Sequence, residues 1–116
     1  MKGYCITERD FATAVEDLLA RFNWKWCHHR PARTERGWRT ALSGDAGLPD
    51  YIAARTSPPA LLIFELKREK GRVTPEQAEW IEVLKACGVD VRLWRPSDIG
   101  EITEILSGGR LSLAED

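Results

Sequence analysis

The most constraining feature of this sequence is its most apolar run, ALLIFELK, which extends from Ala60 to Lys67. An apolar stretch of this length between polar turns predicts a central β-strand that is buried on both faces. Glu65 and Lys67 lie at the end of the run, and residues two apart on a strand point to the same face. Ionisable groups in an apolar strand cost desolvation free energy unless something binds them. This end of the strand is therefore the first candidate for a functional site.

Helix and strand signals precede this run. Thr7 is the predicted N-cap of a first helix from about Glu8 to Phe22, in which apolar residues recur at helical spacing. The aromatic, alternating stretch that begins at Trp24 predicts a strand, and residues 51–54 predict another. Between these strands, the segment at about 30–49 is long and basic, so we expect a loop with a short hairpin around Trp38.

The second half of the chain continues the alternation of helices and strands. Thr74 and Gln77 form a predicted capping box at the start of a helix that Gly88 ends. Residues 89–94 predict a further strand, and Ser97 is the expected N-cap of a last helix. The predicted order is α-β-β-β-α-β-α, an α/β fold with a mixed sheet flanked by helices. The length fits one domain, residues 1–116, with a frayed tail at about 107–116.

Positive charge is concentrated in one part of the chain. The net charge is −1, yet six basic residues and one acid lie between Arg21 and Arg39. A local basic stretch is the usual footprint of a surface that binds a polyanion such as DNA, although a solvated loop explains it equally well. The candidate DNA contacts are Arg30, Arg33, Arg36 and Arg39 in this loop, His29 before it, and Arg68, Lys70 and Arg72 in the polar loop after the apolar strand.

A third charged residue, Asp50, opens the strand before the apolar run. Antiparallel pairing through the Ser57-Pro58-Pro59 turn would bring Asp50 close to Glu65. Two neighbouring carboxylates repel, and a hard divalent cation such as Mg²⁺ or Mn²⁺ relieves the repulsion. Such a metal activates water and polarises phosphate, while Lys67 orients the water or stabilises the developing charge. This set predicts phosphodiester hydrolysis; the alternative for Glu65 and Lys67 is a solvated surface ion pair.

The first helix offers a fourth carboxylate, for which Glu8 and Glu16 compete. Glu8 lies roughly 21 Å before the helix end, which matches the roughly 20 Å that the next strand covers on its return towards Asp50. Glu16 would lie only roughly 9 Å from the turn, so Glu8 is preferred as the metal or water ligand. Interaction with the helix dipole explains Glu8 equally well. Gln77 also has a structural and a functional interpretation: it either caps the second helix or belongs to the candidate site.

Three ordered motifs resemble the virus-type replication-repair nuclease (VRR-NUC) family of the PD-(D/E)xK superfamily: Gly47-Leu48-Pro49-Asp50, Glu65-Leu66-Lys67, and Gln77 with Trp80. The resemblance extends from about Thr7 to Leu106, and segments 29–33 and 94–98 look like versions found in bacteriophages and their hosts. The sequence departs from the family at Asn23, where glycine is often found.

The resemblance implies a restriction-endonuclease-like core and Mg²⁺- or Mn²⁺-dependent cleavage of branched or structured DNA by a homodimer. By the motif, Asp50, Glu65 and the Leu66 carbonyl are metal ligands, Lys67 is the catalytic lysine, and Gln77 lies near the site.

Several other classes of protein are disfavoured. The three cysteines are far apart and odd in number, which favours a reducing, cytoplasmic setting, and Cys27-His28-His29 lacks a second ligand pair at zinc-finger spacing. No apolar run approaches the roughly 18 residues of a membrane span, and we expect no export signal. The alternative function is a non-catalytic DNA-binding module on the same fold.

Overall fold

The computed structural model describes residues 6–29, 32–34, 37–39 and 43–109, and the two three-residue segments are described by their backbone alone. The elements are α1 (Glu8–Arg21), β1 (Lys25–His28), β2 (Ala32–Thr34), β3 (Gly37–Arg39), β4 (Tyr51–Thr56), β5 (Pro59–Leu66), α2 (Pro75–Ala86), β6 (Asp90–Trp94), a 3₁₀ turn (Pro96–Asp98) and α3 (Ile99–Leu106). The predicted order of helices and strands is confirmed, with β2 and β3 as an added antiparallel hairpin that pairs Arg33 with Trp38.

The main sheet has the strand order β1-β4-β5-β6. β1 and β5 both pair antiparallel with β4, whereas β6 runs parallel to β5 after the crossover through α2. The sheet is therefore mixed and flanked by helices, as predicted, and it is consistent with a restriction-endonuclease-like fold. The register aligns Tyr51 with Phe64, so the residue before β4 and the residue after Phe64 are neighbours at the same end of the sheet.

The core lies between the sheet and the helices α1 and α3. Tyr51, Ala53, Leu62 and Phe64 occupy paired positions on one face of the sheet, and all four are buried. The helices contribute the buried residues Phe11, Val15, Leu19, Ile102 and Leu106. Burial of this apolar surface, at roughly 25 cal/mol per Å², holds α1 across β4 and β5.

The opposite face of β5 differs from the prediction of a strand buried on both sides. Leu61 is 48% exposed on that face, and Ile52 on β4, which pairs with Ile63, is 47% exposed. The physical reason is that α2 packs against β6 rather than over β4. Burial on both faces is reached only at the end of β5, where Glu65 and Leu66 are both buried.

Local signals at the helix ends are mostly confirmed. Thr7 caps α1 by accepting a hydrogen bond from the Asp10 amide at 3.0 Å, and Asn23 after α1 has φ 64°. Asparagine tolerates this left-handed conformation better than most residues other than glycine, so Asn23 can make the turn between α1 and β1. The predicted N-cap at Ser97 is wrong, because Asp98 occupies the N-cap of α3 after the 3₁₀ turn.

The chain after α3 is only partly described. Ser107 is fully buried at the C-cap of α3, and the predicted tail beyond residue 109 lies outside the described residues. Within the described part of the chain, no helix is both long and apolar enough to cross a membrane.

Candidate active site

The pairing of β4 with β5 places Asp50 beside Glu65. The Asp50 carbonyl accepts a hydrogen bond from the His29 amide at 3.0 Å, which continues the β1–β4 ladder by one residue. The Asp50 amide donates to Glu65 Oε1 at 3.2 Å. The backbone of Asp50 is thus fixed on both sides, by β1 and by the side chain at the end of β5.

Glu65 is the one charged residue among the buried polar residues of the described chain, at 4% exposure. Its Oε2 lies 4.0 Å from Lys67 Nζ and accepts a longer hydrogen bond, 3.5 Å, from Gln77 Nε2. Burial raises the pKa of Glu65 from 4.5 to about 7, and the Asp50 carboxylate adds to the rise. Lys67 and the Asp50 amide oppose this rise without cancelling it. Ionisation of Glu65 is therefore costly in this pocket, and Lys67 offsets only part of that cost.

The pKa of Asp50 is raised as well, again chiefly because burial disfavours the charged form. His28, His29 and Lys67 oppose this rise through their positive charge. Two adjacent carboxylates that both resist ionisation form the environment in which a bound cation gains most.

The N-terminus of α2 forms one wall of the site. The Gln77 side-chain oxygen accepts a hydrogen bond from the Thr74 backbone amide at 3.0 Å, and the Gln77 backbone amide donates to Thr74 Oγ1 at 3.1 Å, so the predicted capping box is present. The same side chain also donates to Glu65. The carbonyl oxygen of Gln77 therefore caps the helix while its amide nitrogen contacts Glu65, and its part in the chemistry stays a prediction.

Gly47 controls how closely the segment before Asp50 approaches α2. It has φ 102°, and a Cβ atom there would lie 2.6 Å from the carbonyl carbon of Glu76. Only glycine combines this backbone conformation with so close an approach. The sequence shows Gly47 as a motif residue, but its contact partner is visible only in the folded chain.

The two candidate carboxylates of α1, Glu8 and Glu16, lie near this region in different ways. Glu16 Oε2 accepts a 2.6 Å hydrogen bond from the Tyr51 hydroxyl and lies 3.5 Å from His28 Nδ1. Glu8 is exposed, and its negative charge contributes to the raised pKa of Glu65. A cleft of about 570 Å³ connects them, lined by Glu8, Arg9, Ala12, Thr13, Glu16 and His28. The preference for Glu8 over Glu16 stays a prediction.

The donor set has the chemistry of a hard cation site. Across the described residues, no group of three or more His, Cys, Asp or Glu side chains is arranged as a complete metal site. Mg²⁺ typically keeps several waters and uses only one or two carboxylates of the protein. Asp50 and Glu65, with their raised pKa values, fit that requirement together with a backbone carbonyl such as that of Leu66.

The loop after β5 is tied to the end of β6 by Arg95. The Nη1 atom of Arg95 donates to the carbonyls of Arg68, Glu69 and Gly71 at 2.9, 3.0 and 2.9 Å. Ser97 adds a 2.8 Å hydrogen bond from its hydroxyl to Glu69 Oε2. Sequence reasoning missed Arg95, because a lone arginine after a strand gives no signal of the three carbonyls that surround it.

The predicted DNA contacts fall into two groups. Arg68, Lys70 and Arg72 are exposed on the clamped loop next to Lys67, whereas His29 is partly buried. Arg30 and Arg36 lie outside the described residues, and so do the side chains of Arg33 and Arg39. The structure thus places three exposed basic side chains on the loop that follows β5.

Comparison with known proteins agrees with this architecture. A family model described as the VRR-NUC domain matches residues 8–97, which run from the start of α1 into the 3₁₀ turn and include Asp50, Glu65, Lys67 and Gln77. Searches of curated proteins and of solved structures gave no significant match. Because the matched span covers well over half of the chain, the protein belongs to the VRR-NUC family of nuclease domains that act on DNA.

Proposed function

We propose that this chain is a single-domain, metal-dependent DNA endonuclease that hydrolyses phosphodiester bonds in branched or structured DNA during replication, repair or recombination. The observation that carries the proposal is the pair of adjacent carboxylates, Asp50 and Glu65, whose pKa values are both raised beside Lys67. Membership of the VRR-NUC family supports the nuclease class, and the carboxylate chemistry supports the metal requirement.

Asp50, Glu65 and the Leu66 carbonyl would hold Mg²⁺ or Mn²⁺, with Glu8 as the ligand from the first helix. When bound, the metal supplies polarisation of the phosphate and a water of lowered pKa. Because the pKa of Glu65 is raised to about 7, this carboxyl holds its proton over part of the neutral range, and a cation must displace that proton. Metal binding should therefore strengthen as the pH rises through this range.

Lys67 would act on the same phosphate. Its amide donates to the Trp94 carbonyl at 3.0 Å, which continues the β5–β6 pairing, and its ammonium group is mostly buried beside Glu65. An ammonium group in a desolvated site orients the attacking water or stabilises charge on a phosphate oxygen. Gln77 holds Glu65 from the other side, and the α2 N-terminus provides a favourable dipole for phosphate.

Basic side chains from two segments would bind the DNA backbone. They are Arg68, Lys70 and Arg72 after β5, and His29, Arg30, Arg33, Arg36 and Arg39 after β1. Charge interactions with backbone phosphates suit a nuclease that selects DNA shape rather than sequence.

We include pairing into a homodimer in this proposal. In its support, Ile52 and Leu61 leave apolar surface exposed on the face of the sheet opposite α1. We further propose that the protein acts in the cytoplasm, which is the host cytoplasm if the gene belongs to a phage.

The alternative is a non-catalytic DNA-binding module on the same fold. Carboxylates that face phosphates weaken binding unless a cation lies between them, so the adjacent carboxylates Asp50 and Glu65 favour the enzyme.

The test is cleavage of supercoiled, branched and single-stranded DNA with Mn²⁺, Mg²⁺ or EDTA. We expect the wild type to cut only with metal and Glu65→Ala to lose at least about a hundredfold in rate, because one of the two proposed carboxylate ligands is gone. The matched control is Glu82→Gln, an exposed position on α2 that should cut like the wild type. Light scattering on the same preparations reports whether two copies pair. Wild-type cleavage by Glu65→Ala, or cleavage in EDTA, would rule out the proposed chemistry.

A further inference from the structure

His28, which the proposed chemistry leaves without a role, lies between two carboxylates from different elements. Its Nδ1 lies 3.5 Å from Glu16 Oε2 on α1, and its Nε2 lies 3.8 Å from Oδ2 of Asp50, the residue before β4. The side chain is 15% exposed, so water screens these contacts only weakly. The imidazole ring therefore connects the helix to a proposed metal ligand.

Neighbouring side chains also fix the orientation of the imidazole ring of His28. The register pairs His28 with Tyr51, and their rings stack with centroids 3.9 Å apart and an angle of 11°. Tyr51 in turn stacks on Phe64 at 4.8 Å and donates its hydroxyl hydrogen to Glu16. Stacking on Tyr51 limits tilting of the imidazole, and the Glu16 carboxylate limits its rotation.

The Glu16 carboxylate is held in place by its contacts with Tyr51 and His28. One of its oxygens, Oε2, receives the Tyr51 hydroxyl at 2.6 Å and faces His28 at 3.5 Å. A carboxylate that moved to ligate a metal would have to give up a short hydrogen bond from a buried tyrosine. This geometry makes Glu16 an anchor for other side chains, whereas Asp50 Oδ2 faces the other side of the ring.

We propose that His28 is a positioning residue that fixes the Asp50 carboxylate in the orientation needed to bind metal, and that Glu16 holds His28 in place. This inference rests on the proposed metal-dependent nuclease function. The Asp50 side chain is more exposed than that of Glu65 and depends on partners to hold one rotamer. Loss of a group that orients a metal ligand typically weakens metal affinity by about 10- to 100-fold.

The first measurement is the Mn²⁺ affinity without DNA, determined by calorimetric titration of metal-free protein. We expect His28→Ala to weaken binding about tenfold, because Asp50 then samples several rotamers. His28→Gln should remain within about threefold of the wild type, since its amide nitrogen can still donate to Asp50. Cys27→Ser is the matched control, an exposed neighbour on β1 that should bind Mn²⁺ like the wild type.

Glu16→Gln separates an anchor from a metal ligand. Its amide oxygen still accepts the Tyr51 hydroxyl, so we expect a smaller loss of Mn²⁺ affinity than in His28→Ala. A larger loss in Glu16→Gln than in His28→Ala would overturn the assignment, because it would make Glu16 a ligand. Nitrogen coupling from His28 in the spin-resonance spectrum of bound Mn²⁺ would overturn it too, because it would place His28 on the metal.

DNA cleavage as a function of Mn²⁺ concentration gives the second readout. His28→Ala should need about tenfold more Mn²⁺ for half-maximal rate and should recover a wild-type kcat at saturation. Unchanged Mn²⁺ affinity in a folded His28→Ala protein would refute the role of His28 while leaving the nuclease proposal intact. Failure of the wild type to bind Mn²⁺ at all would instead refute the proposed function. If His28→Ala does not fold, His28→Phe takes its place in both measurements, because a phenyl ring can still stack on Tyr51 but has no nitrogen to contact Glu16 or Asp50.

Discussion

Replacing Glu65 by glutamine in metal-free protein should stabilise the fold at alkaline pH. The substitution keeps the size of the side chain and removes its charge. In the native protein this carboxyl is buried next to Asp50, and its pKa is raised from 4.5 to about 7. Ionised Glu65 therefore opposes folding, and a neutral amide at the same position should not.

The size of the effect follows from the pKa shift. A difference of about 2.5 units, at about 1.4 kcal/mol per unit, makes ionisation about 3 kcal/mol costlier in the folded state than in the unfolded chain. Glu65→Gln removes this cost of ionisation and so stabilises the fold. Part of that stabilisation is lost, because Lys67 no longer has a carboxylate partner. We expect a net stabilisation of about 1–3 kcal/mol at about pH 8, or a rise in Tm of roughly 4 °C per kcal/mol.

The sign depends on pH. Below about pH 4.5, Glu65 is protonated in both states and the two proteins should have similar stability. As the pH rises from about 4.5 to about 7, the unfolded chain loses this proton while the folded chain keeps it, so the wild type loses stability. Above about pH 7 the full penalty is present, and the advantage of Glu65→Gln is at its largest.

The assay is thermal unfolding in EDTA between about pH 4 and pH 8, with Glu82→Gln as the control for loss of one exposed carboxylate. Adding Mn²⁺ should raise the Tm of the wild type far more than that of Glu65→Gln, because ligand binding stabilises only a chain that binds it. A Glu65→Gln protein that is no more stable than the wild type at about pH 8, or whose advantage does not change with pH, would refute this account of Glu65.

Two further substitutions test the elements that position the site. Gly47→Ala should destabilise the fold by more than about 2 kcal/mol, through a strained backbone and a clash with α2, whereas Gly44→Ala has a similar φ but open space and should cost about 1 kcal/mol. Equal Tm values for the two variants would contradict the close approach. Arg95→Met should speed amide exchange in residues 68–71 and cost about 2 kcal/mol, with α1 exchange unchanged. Unchanged exchange in that loop would show that Arg95 does not hold it.

Some of the site was predictable because the signals are local. Glu65 and Lys67 stand out as charges in an apolar strand, and the short turn between β4 and β5 brings Asp50 back to the same end of the sheet. The capping box of α2 was also readable, since Thr74 and Gln77 satisfy amides within one turn. Each of these features depends on residues that are close in sequence or on a single strand pairing.

Other features depend on which distant surfaces meet. The contact between Gln77 and Glu65 exists because the crossover from β5 to β6 returns the N-terminus of α2 to the end of β5. The exposure of Leu61 has the same origin, since α2 covers β6 and leaves that part of β5 open. An apolar run in the sequence cannot show which of its two faces a helix will cover.

The sequence by itself determined the order of helices and strands and the identity of the carboxylate pair, because periodicity, capping and tight turns act over a few residues. Only the tertiary structure decided how that pair is held. The link from Glu16 through His28 to Asp50 and the Arg95 clamp each join residues more than ten positions apart. Such contacts form only when the packing of α1, β1 and β6 fixes side-chain distances that local rules leave undetermined.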